Sequence, residues 1–497
     1  MLPSLGEEGQ VAIRAVGNLV DGAEATEYDD PAIARIKGSS RMLHVLRRAA
    51  RGALEGPGEQ PRRSRRRGGE QLALGGDEAP AQRLRVVAFG ARIELEGEEL
   101  RRIRQNVLGG TAPVNLLRPR ARRLLLDALW SKSGANGRHT DPELAAELRS
   151  SFDDDIASED SFITFLDAWW PELTPRGVLA AMADEKRLSR WARRVLNQGE
   201  VRRLARSLAR TADGAFSVHD VALLDELETL LGAPARPKKK REYDPLDALT
   251  GLEELMPHRE ETQRERAERL AQERTEYAHV IVDEAQDLTP MQWRMVGRRG
   301  RTATWTVVGD PAQSSWSDPD EAAEARDEAL GSRPRRRFEL TVNYRNPAEI
   351  AELAAKVLAL AMPGMKSPAA VRSTGVQPRF AVVREGDLAR CVREEAARLL
   401  DRVDGTVGVV VAMRRREQAA RWLAGLGDRV VALGSLEAKG LEYDATVVVS
   451  PAEIADESPA GLRVLYVALT RATQQLTVVS GERDEPDTDG VPDLLRD

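Results

Sequence analysis

The stretch Val280-Ile281-Val282-Asp283-Glu284-Ala285-Gln286-Asp287 decides how this 497-residue chain reads. Three β-branched residues in a row form the end of a buried strand, and two adjacent carboxylates follow at once. In open α/β sheets ligands gather at the carboxyl ends of strands. An Asp at such a tip suits Mg²⁺ held through its water shell, and a Glu beside it suits polarising an attacking water. Asp283 is therefore the candidate metal contact and Glu284 the candidate catalytic base.

Outward from that point, short β-branched runs alternate with amphipathic helices. Strands are expected at His279–Val282, Thr304–Val308, Phe338–Val342, Arg379–Val383, Val407–Val411, Arg429–Leu433, Thr446–Val449 and Leu476–Val479. Helices are expected at Pro347–Ala361, Asp387–Val403, Arg415–Leu426 and Gly461–Thr470. Alternation of this kind predicts an α/β fold with parallel sheets covered on both faces, and chemistry just after each apolar run.

The motifs fall in that frame. Thr304–Val308 leads into Gly309-Asp310-Pro311-Ala312-Gln313-Ser314, where the Gln313 amide, 30 residues after Asp283, could sense a γ-phosphate without adding charge. Asn343-Tyr344-Arg345-Asn346-Pro347 places Arg345 near the start of a helix, and Leu469-Thr470-Arg471-Ala472 places Arg471 at the end of one. Two arginines directed at one phosphate fit arginine-finger chemistry, although either alone reads as an ordinary surface ion pair. Between them, Glu437-Ala438-Lys439-Gly440-Leu441-Glu442-Tyr443-Asp444 offers Gly440 for close backbone approach and Glu442 as acceptor for a ribose hydroxyl.

Upstream, two Gly/Pro-rich charged stretches, 55–82 and 232–243, read as linkers, each with a basic run that serves either as a solvated loop or as a phosphate contact. Residues 83–231 read as mostly helical behind a hairpin over Arg83–Leu95. Their aromatics Phe162, Phe165, Trp169 and Trp170 fit a helix-packing core better than base stacking.

Composition sets the outer limits. Lys+Arg 74 against Asp+Glu 80 leaves a net charge of −6, so any nucleic-acid site must be a local groove. The preference for Arg over Lys reads as coding bias. A single cysteine, Cys391, excludes an internal disulfide and a multi-Cys zinc site, and fits a cytoplasmic chain. No apolar run approaches the ~20 residues that span a bilayer, and the N-terminal sequence has no secretory pattern.

Taken in order, VDEAQD, GDPAQS, NYRNP, AKGLEYD and LYVALTRA resemble the motifs of UvrD/Rep-type superfamily 1 helicases over residues 280–472. The resemblance implies two RecA-like lobes, ATP and Mg²⁺ as cofactors, and 3′-to-5′ movement on single-stranded or duplex DNA. It assigns Asp283 and Glu284 as the Mg²⁺ aspartate and catalytic glutamate, and Gln313 as the γ-phosphate sensor. Tyr344 becomes the adenine-stacking ring, Glu442 the ribose contact, and Arg345 and Arg471 the γ-phosphate arginines. Trp316 is the remaining candidate for stacking a base. Leu436 stands where UvrD-type enzymes carry a histidine near single-stranded DNA, which weakens the case for unwinding.

About 90 residues separate Arg345 from Glu437, too few for the extra domain of UvrD-type enzymes. The bulk lies before VDEAQD instead. That layout, with LPSLGE and VALLDELETLLG, resembles the HelD (helicase IV-like) branch, whose members bind RNA polymerase. The expected layout is a remnant of the first lobe at 1–54, a linker at 55–82 and a helical insertion at 83–231. A linker with a connecting helix follows at 232–276, then the rest of the first lobe at 277–335 and the second lobe at 336–497. No G-x-x-x-x-G-K-[ST] occurs in the sequence. The chain is thus expected to be the C-terminal portion of a longer HelD-like protein, its first lobe incomplete and with an unpaired sheet edge. It would be a weak ATPase by itself, with a separate Walker A-bearing polypeptide among its expected partners. The alternative is a non-catalytic remnant that binds RNA polymerase or nucleic acid.

Overall fold

The computed structural model describes residues 11–54, 83–88, 90–134, 142–233, 277–314, 316, 318–383 and 387–496. Both basic runs, 62–67 and 238–241, and nearly all of the expected linker and connecting helix at 232–276 lie outside them. The chain divides into two compact units, Met1–Asp29 with Ile36–Leu270, and Asp30–Arg35 with Ala271–Asp497. No helix among the described residues is long and apolar enough to cross a membrane.

In the first unit, β1 (Ala25–Glu27) pairs in parallel with β4 (Phe216–Ser217), and β2 (Leu84–Ala88) with β3 (Ala91–Leu95) forms the expected antiparallel hairpin. Leu84, Val86 and Ala88 alternate inward along β2, as period-2 patterning requires. Beyond the hairpin the unit is helical. The capping box of Ser217 and Asp220 opens the helix Val218–Leu231, which is buried along most of its length. Phe162, Phe165, Trp169 and Trp170 are all buried, with the rings of Phe165 and Trp169 stacked at 5.9 Å. Arg104 lies over Trp169 and donates to its carbonyl at 2.9 Å, so these rings build a core and offer no face to a base. Lys37 is fully buried, with Nζ 2.8 Å from Asp29 and 2.7 Å from Asp220.

The second unit is α/β. Its centre is a five-stranded, wholly parallel sheet in the order β11 (Val430–Gly434), β10 (Val407–Val411), β12 (Tyr443–Val449), β13 (Ala472–Ser480), β9 (Arg379–Val382). Val407, Val409 and Val411 point into a core shared with the helix Leu388–Leu400. Val410, Val448 and Val478 point the other way, against helices Ala348–Ala361 and Gly461–Leu469. Burial on both faces is what the unbroken valine runs anticipate.

Two smaller parallel pairs accompany it: β5 (His279–Val282) with β6 (Thr304–Val307), and β7 (Val342–Pro347) with β8 (Ala369–Arg372). Among the described residues β5 pairs only with β6, leaving its other edge open, and Ile281 is exposed. The expected strand Phe338–Val342 is corrected. Pairing starts only at Val342, where β8 supplies a partner, and Phe338 and Leu340 stand 85% and 88% exposed.

Candidate functional site

The site assembles from loops of the second unit. β5 ends at Val282 and delivers Asp283 and Glu284 to the surface. Glu284 adopts a left-handed conformation (φ 50°), uncommon for a residue with a Cβ and typical of positions over-determined by their surroundings. The surroundings supply the constraint. The Glu284 N–H donates to Asp283 Oδ1 at 2.9 Å, Gln286 Nε2 donates to Glu284 Oε2 at 2.6 Å, and the Ala285 N–H reaches the Val308 carbonyl at 2.9 Å.

Gln286 also joins this loop to the next one. Its Oε1 accepts from the Asp310 N–H at 3.0 Å, and its carbonyl accepts from Ser314 Oγ at 3.0 Å. Asp310 in turn caps the short helical turn Pro311–Gln313 and accepts from Gln313 Nε2 at 2.9 Å. Ala312 is buried in the cluster formed by the helices Ala348–Ala361 and Gly461–Leu469, which seats the Gln313 loop against the five-stranded sheet's own core.

Arg471 meets that loop. It is 2% exposed, and its Nη2 donates to Gln313 Oε1 at 3.1 Å while Nε and Nη1 donate to the Val467 and Leu441 carbonyls at 3.1 and 3.3 Å. Burial lowers its basicity and neighbouring Arg345 adds to the effect, opposed by Glu284 and Glu442. Arg471 is thus close enough to Arg345, Glu284 and Glu442 to feel all three charges. Arg345 itself pairs with Glu442, Nη2 to Oε1 at 2.5 Å.

Three residues without an assigned role in the sequence reading hold this arrangement. Asn346 Nδ2 donates at 2.8 Å to both the Thr470 and the Ala472 carbonyls, on either side of Arg471, so the two arginine segments are bound directly together. Lys439 Nζ is hydrogen-bonded to the Asp287 carboxylate and, at 2.9 Å, to the Gln313 carbonyl. Burial pushes its ammonium down in pKa, and Asp287 pulls it back up. Arg463 Nη2 donates to the Trp316 carbonyl at 2.5 Å. A lone cation inside the apolar run Leu462–Leu469 was the available signal for Arg463. Lys439 lies within the quoted Glu437–Asp444 motif, and its role is set by Asp287, 152 residues away.

The structure therefore brings Asp283, Glu284, Gln313, Arg345, Glu442 and Arg471 into one connected neighbourhood. Gly440 has φ 68°, a left-handed conformation that favours glycine, and open space where a Cβ would lie. Tyr344 is 73% exposed, with its ring accessible. Two expectations are corrected. Trp316 is only 6% exposed and presents no face for a base, because its backbone is tied down by Arg463 and its ring is packed inward. The chemistry also does not all follow apolar runs. Asp283, Glu284 and Gln313 lie just past the carboxyl ends of β5 and β6, but Glu442 and Arg471 immediately precede β12 and β13. One sheet contributes its carboxyl ends and the other its amino ends.

The donor set fits one end of a magnesium-bound nucleotide. Among the described residues no group of three or more His, Cys, Asp or Glu side chains could cage a metal. Asp283 with Glu284 supplies the one or two carboxylates that suffice for Mg²⁺ arriving with phosphate oxygens and water. Arg345 and Arg471 are the guanidiniums that could face a phosphate there.

Residues 248–480, a little under half of the chain, match the family model described as viral superfamily 1 RNA helicase core domain. The match takes in every motif from VDEAQD to LTRA and supports a superfamily 1 helicase-type core in this stretch. Among solved structures, the C-terminal domain of a possible DNA helicase from Lactobacillus plantarum WCFS1 is similar at 19% identity, over 31% of this chain and 92% of that one. Its TM-score of 0.23 is too low to bear on the fold. No curated protein matches.

Proposed function

We propose that the second unit comprises two RecA-like lobes that couple ATP hydrolysis to movement on nucleic acid, as in superfamily 1 helicases and translocases. The observation that carries this reading is the 3.1 Å contact between Arg471 Nη2 and Gln313 Oε1, which joins the loop beside the acidic pair to a buried guanidinium. In this reading Glu284 accepts the proton of the attacking water, and Gln313 orients toward the terminal phosphate. Arg345 and Arg471 offset the charge that develops on the transferred group. Asp283 holds magnesium through water, Tyr344 stacks on adenine, and Glu442 accepts from ribose with Gly440 beside it. Magnesium ATP, when bound, supplies the phosphoryl group and the metal charge. Arg345 must exchange Glu442 for phosphate as the nucleotide seats.

The finer assignment is to the HelD branch. The bulk before VDEAQD and the short interval from Arg345 to Glu437 support it, and it makes RNA polymerase the protein partner, with single-stranded or duplex DNA as the track, in the cytoplasm. A second reading, a non-catalytic module that binds RNA polymerase or nucleic acid, is favoured by one sequence fact: no G-x-x-x-x-G-K-[ST] supplies the backbone N–H cradle and Lys that neutralise a triphosphate.

Phosphate release by the purified chain, with and without single-stranded DNA, tests both. We expect weak or no turnover by the chain alone and recovery on adding a Walker A-bearing polypeptide, with Glu284→Gln abolishing the recovered activity. Fast turnover by the chain alone, lost in Glu284→Gln, would show that the site needs no G-x-x-x-x-G-K-[ST] loop to hydrolyse ATP. No turnover under either addition leaves the binding module.

A further inference from the structure

A second cationic site shares no lining residue with the proposed nucleotide site. Beneath the carboxyl end of the helix Leu388–Leu400, where β9 and β13 begin, is a cavity of about 290 Å³ lined by Arg379, Arg398, Arg402, Gln377 and Gln475 among others. Its three guanidiniums come from two different parts of the unit: Arg379 opens β9, while Arg398 and Arg402 belong to the last turn of the helix and the residues just after it.

The arginines have one carboxylate between them. Glu395 accepts from Arg379 Nε at 3.1 and 3.2 Å and from Arg398 Nε at 2.8 Å. Arg398 is further fixed by donating from Nη2 to Thr477 Oγ1 at 2.9 Å. Glu395 is thus a brace that holds two forks in place while neutralising one charge. The Arg402 side chain has no hydrogen-bond or ion-pair partner among the described residues. The attraction of a helix carboxyl end for cations explains a basic residue at Arg398. It does not explain Arg379, which arrives from a different strand. Three guanidiniums against one carboxylate leave a surplus of two positive charges around a space of ligand size.

From this geometry we infer that the cavity is a binding site for a phosphate oxyanion, separate from the ATP cleft and independent of whether that cleft turns over. Guanidinium forks match phosphate oxygens in pairs. Gln377 and Gln475 add neutral donors and acceptors suited to the sugar or base beside a phosphate. Two sources share this chemistry: the backbone of a single-stranded nucleic acid, and free phosphate.

Fluorescence anisotropy of a labelled oligothymidylate over a range of salt, run on the full chain and on Arg379→Gln/Arg402→Gln, separates them. If the strand is the source, the variant binds more weakly, and its log–log salt slope is shallower by about 1.4, from two lost single-strand contacts at ~0.7 each. In a parallel arm, inorganic phosphate at millimolar concentration is followed by thermal denaturation. A rise in melting temperature in the wild type that is absent in the variant, with oligothymidylate binding unchanged, makes free phosphate the ligand. Arg402→Gln alone guards against misfolding, because that side chain gives up no contact, and Arg379→Lys should restore part of any loss. Equal affinity, equal salt slope and equal phosphate response in wild type and variants overturns the inference, as does a wild type that responds to neither probe.

Discussion

At the scale of single residues, buried charge is the feature with the clearest cost. Lys37 sits with no exposure between Asp29 and Asp220. Its charge and the His219 hydrogen bond hold the Asp29 carboxyl well below the usual carboxylate range, although burial alone would raise it. Lys37→Met leaves two buried carboxylates offset only by the half-exposed Arg210, 4.0 Å from Asp29, and by the His219 hydrogen bond, and should destabilise the first unit by about 3–5 kcal/mol in urea unfolding. Glu349 gives a pH signature. The Ser373 hydroxyl, at 2.5 Å, and the Gly375 N–H, at 2.7 Å, hold its carboxyl down to about 2 from an ordinary 4.5. A carboxyl depressed in the folded state contributes stability that is complete above its unfolded value and vanishes as pH falls through the folded one. The stability gap between wild type and Glu349→Gln should therefore be widest above about pH 4.5 and should narrow toward about pH 2, as measured by denaturant titration at stepped pH. The same scale explains what the motifs concealed. Asp283, Gln313 and Arg471 stood out because their residue types suit phosphate chemistry. Asn346 and Gln286 work by binding backbone carbonyls and amides of distant segments, and a sequence does not state which carbonyl will be near.

At the scale of elements, legibility follows burial. Val407–Val411 matches the observed β10 to the residue, because an all-buried run of small and β-branched side chains has one way to be satisfied. β12 and β13 begin earlier than expected, at Tyr443 and Ala472, because pairing reaches into the polar motif residues: Tyr443 aligns with Ala472. Phe338–Thr341 has strand composition but no neighbouring strand among the described residues, and composition alone does not make a ladder. Gly408 records how tightly these strands pack. A Cβ there would lie 2.7 Å from the Tyr443 ring, which covers that position. Gly408→Ala should displace Tyr443 and, with it, the loop that carries Glu442. We expect about 1–3 kcal/mol of destabilisation from overpacking, read as a lower melting temperature. Gly408→Ala with Tyr443→Leu should recover part of the loss.

At the scale of the whole molecule, two units with separate interiors emerge from one chain, and the α/β character of the second was plain from its alternating runs. Its strand order was not. Nothing in a row of valines says that the first strand of the sheet will lie at one edge beside the last, or that the Gln313 loop will be anchored by Ala312 in another element's core. Those outcomes depend on which faces remain to be covered once the helices have docked, a property of the assembled unit.

That order has a consequence for how the sheet comes into being. Among the described residues β9 has β13 as its sole neighbour, nearly a hundred residues further on, where Thr477 aligns with Arg379. The earliest strand must therefore wait, unsatisfied along both flanks, until the latest one arrives to receive it. Closing so wide an interval is slow. Until β13 covers it, the edge of β9 is a row of unpaired N–H and C=O groups, a ready template for pairing with another chain.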